Sequence, residues 1–292
     1  MILAPLRGVT IRCFRETFAE VIRDAGFTEA ITPFVAAMPG YDPMRNEELG
    51  ASKSSNPEIP TFRVTPQFIG KDPEALRRCL ERVRCFGYDT ADLNCGCPYP
   101  MVRNKGRGSG ILRTPDVLRR MLEVGCETMG PGRFSVKARL GVDRPDELLK
   151  LMPMINAFPL RFLTVHARTA RQMYEGSCDV EMVERVEKVA KMPIVINGDI
   201  PFPLDSNTQT PKRPDNSLMV GRSFVRYLGR RDDARELLER YIAASRAELC
   251  GDHPVLGRMK ELIAYWKDLP AWKRRWPVLK LCRTVDELRA AI

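Results

Sequence analysis

Eight short apolar runs recur along the chain, each four to seven residues long and separated by stretches whose apolar residues repeat every three or four positions. The runs are Met1–Ala4, Ala30–Val35, Phe62–Phe68, Thr90–Asn94, Phe134–Arg139, Phe162–His166, Ile194–Asn197 and Ser217–Val220. Most are continuously apolar, as strands are when both faces of a parallel sheet are covered. Between them, stripes such as Leu76, Cys79, Leu80 and Val83, or Val117, Leu118, Met121 and Leu122, have the spacing of amphipathic helices. Strand and helix in alternation require parallel pairing through crossovers, and eight repeats predict a (β/α)8 TIM barrel.

Two stretches break the pattern. Residues 40–60 are polar without a core helix and read as a surface excursion. Residues 200–216 carry Pro201, Pro203, Pro211 and Pro214, which remove donors and block helix continuation, so the helix between strands seven and eight is expected to be short or replaced by loop. Beyond Leu228 no strand pattern follows. Leu237, Leu238, Tyr241 and Ile242 form one helical stripe, and Leu256, Met259, Leu262, Ile263 and Trp266 another, with a last short helix near 285–292. The division expected is a barrel over residues 1–228 and a small all-helical domain over 229–292.

The chain of 292 residues has no run of eighteen apolar residues and no signal-peptide-like start. Its nine cysteines lack framework spacing. Reduced thiols in a cytoplasmic protein are the expectation, with no membrane association and no metal, since no second Cys or His pair stands at zinc-ligand spacing. Net charge is +10, and half the excess lies in residues 226–292, where 15 Lys and Arg face 10 Asp and Glu. An acidic partner such as nucleic acid fits this balance, as does a merely solvated surface.

In barrels of this kind the site lies on the loops at the carboxyl ends of the strands. There the sequence places Pro5 and Leu6, Gln67, Asn94 and Cys97, Lys137 and Arg139, His166 and Arg168, Asn197-Gly198-Asp199, and Gly221-Arg222. Polar residues closing otherwise apolar strands at nearly every position are poorly explained by core packing. The last two loops suggest a phosphate site, with backbone amides exposed at glycine and charge from Arg222. Lys137 and Gln67 suit a planar hydrogen-bonding ring such as a flavin pyrimidine. In Asp92-Leu93-Asn94-Cys95-Gly96-Cys97-Pro98, Cys97 stands beside proline at a strand end, where a thiol can act as acid or nucleophile; Cys95 reads as packing.

Taken together these segments resemble the tRNA-dihydrouridine synthases, in order along the whole chain. The matching stretches are Ala4-Pro5-Leu6-Arg7-Gly8, Thr65-Pro66-Gln67-Phe68-Ile69-Gly70, Asp92 to Pro98, Asn104 to Gly110, Val136 to Gly141, Val165 to Thr169, Ile196 to Ile200 and Met219 to Arg222. The resemblance implies FMN in the barrel mouth, NADPH or NADH as reductant, and tRNA as substrate held with help from the helical domain; a monomer is the expectation, though no residue pattern sets the oligomeric state. It puts Pro5, Leu6, Gln67, Lys137, His166, Asn197, Gly198, Asp199, Gly221 and Arg222 on flavin, Cys97 as the catalytic acid, and Asn94 and Arg139 on the uracil. Lys105, Arg107, Arg168 and Arg171 are expected to meet the backbone of the flipped nucleotide. Leu6 stands where methionine is frequent in the family and Ala167 where glycine is usual. Two other readings are an FMN barrel oxidoreductase acting on a free pyrimidine, like dihydroorotate dehydrogenase, and an RNA-binding barrel without catalysis.

Overall fold

The computed structural model describes residues 1–49, 62–204 and 217–292. Ten parallel strands form one sheet: β1 (Ile2–Leu3), β2 (Glu29–Ile31), β3 (Val35–Ala36), β4 (Arg63–Thr65), β5 (Gln67–Ile69), β6 (Ala91–Cys95), β7 (Phe134–Gly141), β8 (Leu163–Thr169), β9 (Ile194–Asn197) and β10 (Leu218–Val220). The pairs β2/β3 and β4/β5 are halves of two barrel strands, joined because β2 pairs with β4 and β3 with β5. With β10 pairing β1 and β5 pairing β6, eight strand positions close the ring. The halves are separated at Pro33 and Pro66, which have no N–H for a ladder. Thr32 repairs the gap, its Oγ1 accepting the Gln67 N–H at 3.0 Å.

Helices cover the outside. The helix Pro73–Cys85 shows how local sequence sets one: Asp72 accepts the Ala75 N–H at 3.0 Å, proline occupies the first turn, and Leu76, Cys79, Leu80 and Val83 are buried against the sheet. The segment carrying Phe14, Phe18, Val21 and Ile22, by contrast, is split into two short helices, Arg12–Thr17 and Ala19–Asp24. In the excursion expected after Gly40, residues 40–49 are not wholly superficial. Pro43–Arg45 makes a 3-10 turn, and Glu48 and Leu49 turn inward, Glu48 accepting from Arg15 at 2.8 Å. The remainder of that excursion, and residues 205–216 of the proline-rich stretch, lie outside the described residues.

Strand alternation divides the barrel interior. One side is plugged by Ile2, Ala4, Ile31, Phe162, Val195 and Met219. The other is polar: Asp92 and Asn94 on β6, Ser135, Lys137 and Arg139 on β7, Thr164, His166 and Arg168 on β8 share the inner-face period of two. Below them Glu29 takes both guanidinium nitrogens of Arg161, at 2.6 and 2.7 Å, and the Thr65 hydroxyl, at 2.5 Å. Most of these groups are paired, which makes their burial tolerable, while Thr164 Oγ1, His166 Nδ1 and one terminal nitrogen of Arg168 have no hydrogen-bond partner among the described residues.

After the barrel come helices Ala234–Glu248, Asp252–Ala264, Pro270–Lys273, Trp276–Leu279 and Val285–Ala291. They share one apolar core with the barrel rather than docking through a polar seam. Phe14 and Phe18 pack on Tyr241, with ring centroids 6.0 and 5.3 Å away. The indole N–H of Trp266 donates to the Val225 carbonyl at 2.7 Å, and that of Trp272 to Gly229 at 2.9 Å.

Candidate active site

A cavity of about 1440 Å³ opens at the carboxyl ends of the strands. Of the residues singled out in the sequence, Pro5, Leu6, Gln67, Asn94, Cys97, Lys137, Arg139, His166, Asn197, Gly198, Asp199, Gly221 and Arg222 line it. The fold therefore gathers into one concavity side chains drawn from seven of the eight strand positions. Among its lining residues the cations Arg7, Lys137, Arg139, Arg222, Arg226 and Lys267 outnumber the carboxylates Asp199, Glu261 and Asp268. The donor set suits an anionic ligand with a large planar body.

Cys97 is held from three sides. Asn94 Oδ1 accepts the N–H groups of Gly96 and Cys97 at 3.0 and 2.8 Å. The Arg139 Nε–H donates to the Gly96 carbonyl at 3.0 Å. From behind, the Ser109 N–H and hydroxyl donate to the Cys97 carbonyl at 3.1 and 2.9 Å. Gly108, at φ +57°, lets the 3-10 turn Gly108–Arg113 come this close, for a Cβ there would lie 2.8 Å from that of Cys97. The glycine-rich segment thus braces the cysteine. Burial pushes the Cys97 thiol above its ordinary value, and the nearby Tyr99 amide, Arg139, Arg7 and Lys137 only partly offset this. At neutral pH the thiol keeps its proton.

Lys137 donates to Asn197 Oδ1 at 2.8 Å, and Asn197 in turn donates to the Met219 carbonyl at 2.8 Å. Burial, with help from Arg139, pulls Lys137 down to about 7 against the attraction of Asp92. His166 is held well below its usual range by burial and by Lys137, Arg139, Arg168 and Arg222, so the ring is neutral; its Nδ1 is buried without a hydrogen-bond partner among the described residues. Arg139 is pushed down to about 10 by burial and stays charged at neutral pH.

Four expected RNA contacts stand elsewhere. Arg168 is buried beneath the mouth, donating to the Glu175 and Gly176 carbonyls and pairing with Asp199. Having no open face toward a nucleic-acid backbone, it is a strut for Asp199, a correction that follows from its inner-face position on β8. Arg171 is exposed and bridges to Asp143 at 2.8 Å; Lys105 is exposed and Arg107 half-buried, and none of the three lines the cavity. Asp199 also accepts from Arg222 at 2.7 Å, so Arg222 is neutralised in part. Burial raises the Asp199 carboxyl, but Arg168 and Arg222 together hold it below the ordinary value.

Sequence reasoning missed Tyr174, whose ring lies under Arg139 at 5.2 Å and Arg222 at 4.9 Å in the cavity wall. It missed too the wall supplied by the helix Asp252–Ala264 and the turn after it, through Glu261, Tyr265, Lys267 and Asp268. Tyr174 had a weak signal, an aromatic shortly after a polar strand end. The helical residues had none, because their place depends on how the tail folds back.

Residues 2–249 match the family model described as dihydrouridine synthase (Dus). A probable tRNA-dihydrouridine synthase of Helicobacter pylori (strain J99) is 27% identical over 230 residues, covering 77% of this chain and 67% of that protein. A probable tRNA-dihydrouridine synthase of Staphylococcus aureus (strain Mu50) is 29% identical, with 76% and 67% covered. The tRNA-dihydrouridine synthase B of Vibrio cholerae is 26% identical over 226 residues, with 76% and 66% covered, so the chain spans about two thirds of the length of such relatives. Solved structures share the fold: TcOYE with pHBA, at TM-score 0.54 and 10% identity, over 92% of this chain and 95% of that one. The old yellow enzyme homologue from Zymomonas mobilis follows at 0.51 and 14%, over 82% and 88%. A family match across most of the chain, laid over a closed barrel with these side chains at its mouth, makes this protein a member of the dihydrouridine synthase family of oxidoreductases.

Proposed function

We propose that this protein reduces the C5=C6 bond of a uridine in tRNA to dihydrouridine, with FMN in the barrel mouth, NADPH or NADH as reductant and Cys97 as proton donor. The observation that carries the reading is a protonated, rigidly held thiol sharing one cavity with Lys137 and Asn94. FMN held there would supply the hydride that adds to C6 of the uracil. Pro5, Leu6, Gln67, Lys137, His166, Asn197, Gly198, Asp199, Gly221 and Arg222 are the residues to hold it, and their net positive character and the unpartnered His166 Nδ1 fit such a group.

The remaining work belongs to this chain. Cys97 Sγ gives its proton to C5 on the face away from the hydride, and its raised affinity for the proton keeps the acid loaded at neutral pH. Arg139, charged and buried, stands in the same wall, where it favours negative charge building on the uracil carbonyl side. Asn94 orients the cysteine loop and faces the base. Residues 229–292 form the helical part that grips tRNA, with Lys105, Arg107 and Arg171 as outlying phosphate contacts. A uridine must leave the tRNA stack to enter the cavity at the barrel mouth, so such contacts offset unstacking. A monomer in the cytoplasm completes the reading.

The test is single turnover. Bound flavin is reduced anaerobically, unmodified tRNA is added, and flavin reoxidation is followed together with a mass gain of about two daltons per modified uridine, for the two hydrogens added. Wild type is expected to show both, and Cys97→Ala to slow the reaction about 10²- to 10⁴-fold. Reoxidation by a free pyrimidine but by no tRNA would overturn the substrate.

A further inference from the structure

Asp92 lies at the bottom of the polar side of the barrel, fully buried, and is not needed to line the cavity. It ends an unbroken line of hydrogen bonds that begins at the cysteine loop. The Gly96 and Cys97 N–H groups donate to Asn94 Oδ1. Asn94 Nδ2 donates to Gln67 Oε1 at 2.8 Å, Gln67 Nε2 donates to Asp92 Oδ2 at 2.8 Å, and Ser135 Oγ donates to Asp92 Oδ1 at 2.6 Å.

The polarity of this line is set at both ends. Backbone N–H groups can only donate, so the Asn94 atom facing them is its oxygen and the one facing Gln67 its nitrogen. Gln67 must then offer oxygen to Asn94 and nitrogen to Asp92, whose carboxyl burial raises to about 6 but leaves mainly ionised, and so an acceptor, at neutral pH. Neither amide can turn over without opposing two donors or two acceptors at once. Among the described residues each amide has one N–H without an acceptor, and both residues line the cavity.

We infer that Asp92 is a positioning residue: through Gln67 and Asn94 it fixes the donor pattern that the cavity wall offers to a pyrimidine ring, and it holds the Cys97 loop. Its link to uridine reduction rests on the function proposed above, but the positioning itself does not. Around it stand Lys137 and Glu29 as charged neighbours and Cys95 as a buried thiol. Ser135 has a second acceptor, the Ala91 carbonyl at 3.4 Å, so an isosteric amide in place of Asp92 can be accommodated by turning the Ser135 hydroxyl.

The test reads Cys97 and flavin separately from turnover. Asp92→Asn, Asp92→Leu, Asn94→Ala and the Asp92→Leu/Asn94→Ala pair are purified, Cys97 alkylation by iodoacetamide is timed by peptide mass spectrometry, and FMN affinity is taken from fluorescence. Asp92→Leu strands the Gln67 donor, so alkylation is expected to rise and FMN affinity to fall, each about tenfold. Asp92→Asn is expected to stay within about threefold of wild type, because its oxygen still takes the Gln67 N–H while its nitrogen donates to Ser135. Added to Asn94→Ala, Asp92→Leu is expected to change alkylation less than about twofold, since both act along one line. Should Asp92→Leu fail to fold, Gln67→Met breaks the same line one step nearer the loop and must raise alkylation alike.

Wild-type alkylation in a folded Asp92→Leu or Gln67→Met protein, equal damage from Asn and Leu, or multiplying effects in the pair would overturn the inference. Wild-type flavin that ignores tRNA would instead overturn the proposed substrate and leave these results standing.

Discussion

Lys137 meets two opposed demands. A ligand with negative character favours an ammonium there, yet the folded protein half-buries that ammonium with the neutral Asn197 as its hydrogen-bond acceptor. Its proton affinity falls from 10.5 to about 7, so between those values the unfolded chain binds a proton that the fold does not. Stability from this group is therefore present above about pH 10, declines as pH falls, and is lost through pH 7. In flavin-free protein, Lys137→Met is expected to raise the melting temperature more at pH 6 than at pH 9, while FMN affinity drops at least about tenfold through the lost charge. Calorimetry at the two pH values and a fluorescence titration check both halves; equal melting shifts at the two pH values would contradict the buried-charge argument. Lys137 was legible because charge at the end of an apolar run has no packing reason. The fuller signal, polar residues at every second position in Ser135-Lys137-Arg139 and Thr164-His166-Arg168, separates an inner from an outer face, and reading the runs as simply apolar passed over it.

The strand and helix elements follow from the chain with few surprises, and the surprises have local causes. Pro33 and Pro66 cut two barrel strands into halves without opening the ring, because their neighbours pair across the gap. In the segment after Cys97, which carries Lys105 and Arg107, the glycines let the backbone pack against the cysteine. Gly108→Ala puts a methyl group 2.8 Å from Cys97 Cβ on a left-handed residue. A loss of about 1–3 kcal/mol in urea unfolding is expected, with a changed rate of Cys97 alkylation. An alanine variant matching wild type in both would show that the turn does not brace the thiol. No short motif marks bracing, since the sequence does not say which neighbour a glycine admits.

For the whole molecule, the helical tail and the barrel are joined by aromatic packing. Gly229 abuts the Trp266 ring so closely that any Cβ would enter it, and Trp266 is fully buried. Trp266→Ala is expected to cost about 3–5 kcal/mol and to lower one shared melting transition. Two separate transitions would mean that the tail is an independent unit. The exposed Lys273 and Arg274, with half-buried Arg275 and Trp276 beside them, give the tail a basic outer face. If that face meets tRNA phosphate, binding weakens steeply with salt, and replacing Lys273, Arg274 and Arg275 with glutamine lowers the log–log slope by about two to three. An unchanged slope would move the docking surface elsewhere.

The sequence by itself determined the barrel, the ends of its strands and the cysteine loop, because hydrophobic periodicity and punctuation by proline and glycine are local and each strand end must open on the same rim. Only the tertiary structure decided which of the basic residues reach that rim. It buried Arg168 as a strut, brought Tyr174 beneath two guanidinium groups and folded Glu261 and Tyr265 over the mouth. It also aligned Asp92, Gln67 and Asn94 from neighbouring strands into one line. Those outcomes depend on distances between residues far apart in the chain, and the relative placement of strands and helices in space sets such distances.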